Sequence, residues 1–223
     1  MQPPYRMAAV VLAAGLSRRM GGQPKALLRL GPKPLLIHVI DAFRSAGGID
    51  PIIVVTGHAA DRVKEILQPL DVHVVHNEAY ASGEMLSSVK RGVSAVLEQG
   101  AEAFFIALSD QPMVLPATIS AMRDAWAHSR AAVMLPTYRG KHGHPILLSA
   151  SGAEAILSLP EDATLKDYTS RLVEHTLELA VDDPAILHDL DTPADFSAAA
   201  GSWNGGVAHV PNHPTHPPGA AKP

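Results

Sequence analysis

Cysteine is absent from the 223 residues of the chain. Its absence excludes disulfide bonds, thiolate metal sites and cysteine nucleophiles, and it suits a reducing compartment without requiring one. A block of basic residues is lacking as well, because the 18 lysines and arginines are scattered along a chain whose formal net charge is −4. Proteins that bind nucleic acids usually carry such residues in a cluster. The composition therefore argues against nucleic acid as a partner.

Long apolar runs are also missing. None approaches the ~20 consecutive apolar residues that a membrane-spanning helix needs. The first six residues contain two prolines and lead into an apolar run that soon meets Gly15, so this region lacks the layout of a signal peptide. We therefore expect a cytoplasmic protein that does not interact with a membrane.

The C-terminal end has few apolar residues and no apolar periodicity. Glycine, proline and histidine dominate residues 202–223, and a segment of this composition cannot bury enough apolar surface to fold. We predict a disordered tail over residues 202–223 and one folded domain over residues 1–201. A domain of this length buries about 70% of the surface of its unfolded chain, so it can form a substantial core.

Apolar runs and amphipathic segments alternate through the rest of the chain. The runs typical of buried strands cover residues 7–14, 26–30, 52–55, 72–75, 103–108, 131–135 and 176–181. The helical patterns cover residues 35–46, 60–67, 116–128, 151–158 and 163–172, with a further helix that ends near residue 97. This alternation predicts a three-layer α/β/α fold with a mostly parallel sheet. Such sheets bind ligands at the carboxyl ends of their strands.

The loop after the first predicted strand has the composition of a phosphate-binding loop. Residues 12–25 read Leu-Ala-Ala-Gly-Leu-Ser-Arg-Arg-Met-Gly-Gly-Gln-Pro-Lys. Three glycines allow backbone N–H groups to approach anionic oxygens, and three basic side chains add positive charge. A P-loop is excluded because Met20 stands where its second glycine belongs, and a dinucleotide fingerprint is excluded because Ser17 stands two residues after Gly15.

Two acidic positions follow later predicted elements. Asp110 lies in Ser-Asp-Gln-Pro at the end of the strand over residues 103–108, where a turn or a helix cap is as plausible as a metal ligand from position alone. Asp191 precedes Thr192 and Pro193, which have the pattern of a helix start. That pattern explains the threonine and the proline but does not require Asp191.

Together these motifs resemble the nucleotidyltransferases with a glycosyltransferase-A-like fold, and within them the molybdenum cofactor cytidylyltransferases. That family shows Leu-Ala-Ala/Gly-Gly-x-x-x-Arg-Met-Gly-x-x-Lys in the loop, Asp-x-Pro at Asp110 and Asp-Ile-Asp-Thr-Pro-Glu-Asp-Leu around Asp191. The resemblance implies that Mg²⁺ is held by Asp110 and Asp191, with Asp189 as the alternative ligand. It implies that the catalytic residues are Arg19, Lys25 and Asp110.

The same resemblance implies the remaining site residues. The nucleotide would be bound by Leu12, Ala13, Ala14, Gly15, Arg19, Gly21, Lys25, Asn77 and Ser88. Asn77 and Ser88 belong to a segment similar to the family's Asn…Gly-Met-x-x-Ser-Leu-x-x-Gly, which approaches the base and ribose. Gly143-His144-Pro145 is similar to the family's turn beside the acceptor pocket, which implies that Arg139 and His144 contact an anionic acceptor.

The implied reaction is the transfer of CMP from CTP to the phosphate of molybdopterin, with release of pyrophosphate. A molybdenum hydroxylase is then a candidate partner. A guanylyltransferase for the same cofactor and a sugar-1-phosphate nucleotidyltransferase remain alternatives, since both would use the same loop. A third alternative is a non-catalytic carrier that delivers the cofactor to a hydroxylase, although a carrier does not need the pair Asp110 and Asp191.

Overall fold

The structure is a computed structural model of the chain, and it describes residues 5–17, 20, 22–82 and 84–203. The described residues form ten strands: β1 (Met7–Ala13), β2 (Arg29–Leu30), β3 (Lys33–Pro34), β4 (Ile52–Thr56), β5 (His73–His76), β6 (Ala103–Leu108), β7 (Val133–Tyr138), β8 (Lys141–His142), β9 (Ile146–Ser149) and β10 (Thr176–Ala180). They also form seven α-helices: α1 (Leu35–Ala46), α2 (Ala60–Leu67), α3 (Met85–Glu98), α4 (Pro116–Ser129), α5 (Ala153–Leu157), α6 (Leu165–Thr169) and α7 (Pro193–Ser202). Across these ranges no helix combines the length and apolar character needed to cross a membrane.

The main sheet is mostly parallel, as the alternating pattern predicts. Its strand order is β10-β7-β9-β6-β1-β4-β5, and β8 pairs with the end of β7. β9 runs antiparallel to both β6 and β7, whereas the pairs β1–β4, β1–β6, β4–β5 and β7–β10 are parallel. β2 and β3 form a separate two-stranded sheet. The predicted fold class is confirmed.

Both faces of the sheet are covered by helices. Alternate residues of β1 enter two different cores: Ala9 and Val11 pack with apolar side chains of α1, α2 and α4. Val10 and Leu12 pack with side chains of α3, α5 and α6. Because both faces are buried, the strand reads as a continuous apolar run rather than as an alternating one. The result is a three-layer α/β/α arrangement.

Three short segments differ from their predicted structure. Residues 26–30 were expected to form a strand, but a 3-10 turn over Lys25–Leu27 comes before the two-residue β2. The N–H groups of Leu27 and Leu28 bond to the carbonyls of Pro24 and Lys25, three residues earlier, so they need no neighbouring strand. In the helix predicted over residues 163–172, only Leu165–Thr169 is α-helical, and a 3-10 helix over Ser170–His175 follows, in which Leu172 leaves the helical region at φ −113° and ψ 27°. The helix predicted from residue 151 begins with a 3-10 turn and becomes α5 at Ala153.

β1 lies at the point where the strand order reverses. From β1 the chain moves outward to β4 and β5, and it then returns to the other side of β1 as β6. The loops that leave β1 and β6 therefore diverge at the carboxyl edge and open a crevice there. This topology brings the predicted phosphate-binding loop next to the segment that carries Asp110.

Gly92 allows α3 to pack closely on the central strands. A Cβ atom at this position would lie 2.3 Å from Val10 Cγ1 and 3.2 Å from Val55 Cγ2. We expect Gly92→Ala to lower the free energy of unfolding by about 1–3 kcal/mol, because the extra methyl group overpacks this contact. Denaturant unfolding measures the change. The matched control is Ser94→Ala on the same helix, which should shift stability by less than about 0.5 kcal/mol, and equal stability of the two variants would contradict the prediction.

The C-terminal helix α7 has a capping box at its start and an aromatic contact with the domain after its end. Thr192 and Asp195 form a capping box at the start of α7, in which the Thr192 hydroxyl donates to Asp195 Oδ2 at 2.7 Å. After α7, the Trp203 ring packs edge-on against His38 with ring centroids 4.7 Å apart. The folded domain therefore includes Ser202 and Trp203, the first two residues of the predicted tail. Residues 204–223 lie outside the described residues.

Candidate active site

The loop that follows β1 begins at the carboxyl edge of the sheet. Leu12 and Ala13 are the last two residues of β1, and Ala14 after them is buried. Gly15 is exposed, and a side chain built there would meet no heavy atom within 4 Å. The backbone at Gly15 therefore borders open space, as phosphate binding by backbone N–H groups requires.

Ser17 organises the rest of this loop. Its backbone has a left-handed conformation with φ +50°, and its carbonyl accepts a hydrogen bond from the Met20 N–H at 2.9 Å. Its hydroxyl oxygen accepts a second bond from the Lys25 N–H at 2.9 Å. These contacts hold Lys25 against the start of its own loop. Arg19 and Gly21, which were also predicted to bind the nucleotide, lie outside the described residues.

Lys25 lies between two acidic side chains. Its ammonium group donates to Asp110 Oδ2 at 2.9 Å and also to Asp191 Oδ1. The Lys25 side chain is only 15% exposed. Burial by itself lowers the pKa of Lys25, but the hydrogen bonds and charges of Asp191 and Asp110 outweigh it and raise the pKa above its ordinary value. Lys25 is therefore a protonated cation held between two carboxylates.

The two acids come from distant parts of the chain. Asp110 follows β6, whereas Asp191 lies just before α7, and the Leu190 N–H donates to the Asp110 carbonyl at 2.9 Å. Asp189 has a different hydrogen-bond partner: its Oδ1 accepts a hydrogen bond from Gln111 Nε2 at 2.8 Å. Desolvation and the charges of Asp110 and Asp191 raise the pKa of Asp189. The structure thus brings Asp110 together with Asp191 at Lys25, as the sequence predicts for the pair.

The pair of carboxylates has the chemistry of a divalent-cation site. Since both acids contact the single ammonium group of Lys25, one cation can reach both of them. Over the described ranges there is no group of three or more histidine, aspartate or glutamate side chains that could hold a metal. Mg²⁺ often takes only one or two carboxylates from the protein and completes its coordination with water and substrate phosphates. Asp110 and Asp191 fit that description.

Asn77 and Ser88 connect the end of β5 to the start of α3. Asn77 Nδ2 donates to Ser87 Oγ and to Ser88 Oγ, both at 2.9 Å, and its Oδ1 accepts from the Ala79 N–H at 3.1 Å. Asn77 and Ser88 are only 5% and 7% exposed. Both the nitrogen and the oxygen of the Asn77 amide are therefore hydrogen-bonded within the protein, and these bonds fix the chain between β5 and α3. Contact of these two residues with a nucleotide stays a prediction.

His144 lies beside Asp110 because β9 runs antiparallel to β6. The start of β9 is therefore next to the carboxyl end of β6. The His144 N–H donates to the Ile186 carbonyl at 2.9 Å. Burial lowers the pKa of the His144 imidazole, and the charge of Asp110 offsets only part of the shift. His144 is therefore neutral at pH 7, so it can offer a hydrogen bond but not a positive charge.

Arg139 lies at the turn between β7 and β8. It has φ +49°, and its guanidinium group stands 5.1 Å from the centre of the Tyr138 ring. β7 runs in the same direction as β6, since both are antiparallel to β9. The turn therefore lies at the same edge of the sheet as the Lys25 site, and both Arg139 and Lys141 are exposed there.

The motif analysis did not identify Gln111 or Asp183 as site residues. Gln111 is 4% exposed and donates a hydrogen bond to Asp189, in the segment that carries Asp191. Asp183 is 2% exposed, begins that segment and accepts a hydrogen bond from the Leu115 N–H. The only sequence signal for Gln111 is its position directly after Asp110. Asp183 has no signal beyond its position before Pro184.

Comparison with known proteins identifies the family of the chain. Residues 9–177 match the family described as the MobA-like NTP transferase domain. The molybdenum cofactor cytidylyltransferase of Escherichia coli is 30% identical over 191 residues, which cover 85% of this chain and 93% of that protein.

Two solved structures are also similar. The crystal structure of Rv0371c from Mycobacterium tuberculosis superposes with a TM-score of 0.76 at 29% identity, and the match covers 90% of this chain and 100% of that one. The complex of Rv0371c with manganese superposes with a TM-score of 0.70 at 28% identity, covering 89% and 100%. The family match and the similarity of the fold agree, and the chain belongs to the family of MobA-like NTP transferases and is a nucleotidyltransferase.

Proposed function

We propose that this nucleotidyltransferase transfers CMP from CTP to the phosphate of molybdopterin. The observation that carries the proposal is the convergence of Lys25, Asp110 and Asp191 beside the loop after β1. The similarity to the Escherichia coli molybdenum cofactor cytidylyltransferase supports the choice of acceptor. The Leu-Ala-Ala-Gly sequence that begins at Leu12 favours CTP, since the guanylyltransferases that the chain resembles more often have Leu-Ala-Gly-Gly.

The reaction is a displacement at phosphorus. An oxygen of the acceptor phosphate forms a bond to the α-phosphorus of CTP, and the bond from that phosphorus to the bridging oxygen of the β-phosphate breaks. Pyrophosphate leaves with the bond's electron pair. The acceptor phosphate is already negatively charged, so no side-chain nucleophile is needed, and catalysis consists of alignment and charge neutralisation.

Each candidate residue has a role in this reaction. The backbone around Gly15, together with Arg19 and Lys25, would bind the β- and γ-phosphates. Asp110 and Asp191 would hold Mg²⁺, which supplies charge neutralisation at the phosphates when it is bound. Lys25 then exchanges its carboxylate partners for phosphate oxygens.

The acceptor would bind on the β7–β9 side of the crevice. Arg139 would supply positive charge, and neutral His144 would supply a hydrogen bond to a phosphate oxygen or a polar group of the acceptor. A molybdenum hydroxylase that takes up the product stays a prediction.

A comparison of the four nucleoside triphosphates tests the proposal. The purified protein is mixed with Mg²⁺, molybdopterin and each triphosphate in turn, and released pyrophosphate is measured. We expect release with CTP at a rate at least about tenfold higher than with GTP, a difference of ~1.4 kcal/mol in transition-state binding. Reactions without acceptor, and reactions with a sugar 1-phosphate as acceptor, are the controls.

Other outcomes point to the alternatives. Preference for GTP would identify a guanylyltransferase, and turnover only with the sugar 1-phosphate would identify a sugar nucleotidyltransferase. Tight binding of molybdopterin without pyrophosphate release from any triphosphate would support the carrier.

A further inference from the structure

The segment that brings Asp191 to the site is held by side-chain and loop-backbone hydrogen bonds rather than by strand pairing. Residues 183–191, which we call the return segment, leave the edge strand β10 and cross the carboxyl edge toward the end of β6. The segment contains a 3-10 turn over Pro184–Leu187 but pairs with no strand of the described sheets. Contacts outside the sheet must therefore set its position.

The first of these contacts fixes the beginning of the return segment. Asp183 Oδ2 accepts hydrogen bonds from the Leu115 N–H at 2.9 Å and from the Thr118 hydroxyl at 2.7 Å, and its Oδ1 accepts from the Ala185 N–H at 3.0 Å. Leu115 is the N-terminal capping position of α4, a helix without a side-chain cap of its own. A buried carboxylate is favourable there because the first turn of a helix has unpaired N–H groups and a positive dipole.

A second contact holds the middle of the return segment. The Ile186 carbonyl accepts hydrogen bonds from the His144 N–H at 2.9 Å and from Gln111 Nε2 at 3.3 Å. Gly143 permits this approach, because a Cβ atom there would lie 2.3 Å from the Ile186 oxygen. Both bonds link the segment to β9 and to the loop after β6.

The third contact is the one nearest to Asp191. The same Gln111 amide donates to Asp189 Oδ1 at 2.8 Å, and the Leu190 N–H donates to the Asp110 carbonyl at 2.9 Å. Gln111 therefore bonds to the return segment at two points from a position that is adjacent in sequence to Asp110. Its side chain is nearly inaccessible, so the amide cannot exchange these partners for water.

Repulsion between carboxylates makes a fixed backbone necessary at this point of the return segment. Asp110, Asp189 and Asp191 carry like charges within one small region, and like charges at such separations repel each other. The ammonium of Lys25 offsets this repulsion, but its long side chain does not fix the backbone of the return segment. The buried amide of Gln111 fixes that backbone, because it bonds both to Asp189 and to the carbonyl of Ile186.

We propose that Gln111 is a positioning residue that fixes the separation between the carboxylates of Asp110 and Asp191. The inference rests on the proposed role of these two acids as a divalent-metal site. Gln111 contacts neither the metal nor a substrate in this proposal. It acts through Asp189 and Ile186, which set the course of the chain into Asp191.

Mn²⁺ binding to the full-length protein without nucleotide tests the inference. Water-proton relaxation and the electron paramagnetic resonance spectrum of bound Mn²⁺ report affinity and coordination without any turnover. We expect Gln111→Met, which keeps the size of the side chain and removes its donors, to weaken Mn²⁺ binding by about tenfold or more, the usual effect of losing a partner that orients metal ligands. Asp191→Asn provides the reference for a site that has lost a ligand.

A structural control separates positioning from a general loss of stability. Thr118→Val removes one hydrogen bond to Asp183 at the far end of the return segment, and we expect it to lower the melting temperature comparably while leaving Mn²⁺ affinity unchanged. Gln68→Met, on an exposed residue after α2, controls for the substitution itself. If Gln111→Met does not fold, Gln111→Asn, whose amide is one methylene shorter, takes its place.

The outcomes distinguish this inference from the proposed function. Wild-type affinity for Mn²⁺ in the Gln111 variant, or equal loss of affinity in Gln111→Met and Thr118→Val, would overturn the positioning role. Absence of Mn²⁺ binding in the wild-type protein would overturn it as well. Failure of the proposed cytidylyl transfer would show only in the pyrophosphate measurement, because Mn²⁺ binding requires neither CTP nor molybdopterin.

Discussion

Asp110→Asn and Asp191→Asn are each expected to slow pyrophosphate release by about 100-fold or more, the scale of losing one preorganised electrostatic contact at a reacting group. Each substitution keeps the size of the side chain and removes a negative charge, so a divalent cation loses one of the two carboxylates that converge on Lys25. The double variant should be scarcely slower than the slower single variant, because residues that act as one unit are not additive. Steady-state turnover across a Mg²⁺ series measures these effects.

The matched control is Asp182→Asn, an exposed carboxylate one residue before the return segment. It should leave turnover unchanged. Near-normal turnover in Asp191→Asn would transfer the metal-binding role to Asp189. Near-normal turnover in Asp110→Asn would contradict the proposed mechanism as a whole.

Lys25→Met is expected to have opposite effects on two ligands. Affinity for Mg·CTP should fall about tenfold or more, because a charge-assisted hydrogen bond to phosphate contributes about 1.5–3 kcal/mol. Affinity for Mn²⁺ without nucleotide should rise several-fold, because the ammonium of Lys25 and a divalent cation compete for the same two carboxylates. Titration calorimetry measures the first effect and water-proton relaxation the second.

Lys33→Met is the control for this pair of measurements. Lys33 also forms an ion pair, with Asp41 at 2.7 Å, but its side chain is 52% exposed and it lies on β3. Neither affinity should change in that variant. Unchanged affinity of Lys25→Met for Mg·CTP would remove Lys25 from the phosphate site, and unchanged affinity for Mn²⁺ would show that the metal does not replace its ammonium group.

Competition at Lys25 has a consequence for the order of binding. If triphosphate draws Lys25 away from Asp110 and Asp191, then the nucleotide and the metal each increase the affinity of the protein for the other, since coupling between two ligands is reciprocal. The same ammonium group stabilises the pair of carboxylates before substrate arrives. Lys25 would therefore link the loop after β1 to the proposed metal site.

Much of the fold could be predicted from local pattern. β1, β4 and β6 have continuous apolar sequences because helices cover both faces of the sheet, and a buried parallel strand leaves that signature in any sequence. The pattern failed over residues 26–30 and 163–172, where short apolar runs have no long-range partner strand or continuous helix. In such runs the choice among a 3-10 turn, a strand and a helix depends on neighbours that are distant in sequence.

The sequence by itself determined the chemistry available to this protein: a glycine-rich loop with basic residues after a buried strand, and acids where later elements end or begin. Only the tertiary structure decided which of those groups meet. Lys25 is 85 residues from Asp110 and 166 from Asp191 along the chain, so their contacts depend on the strand order around β1 and on the course of the return segment. The role of Gln111 emerges in the same way, because a buried amide gains its function from the partners that folding places around it.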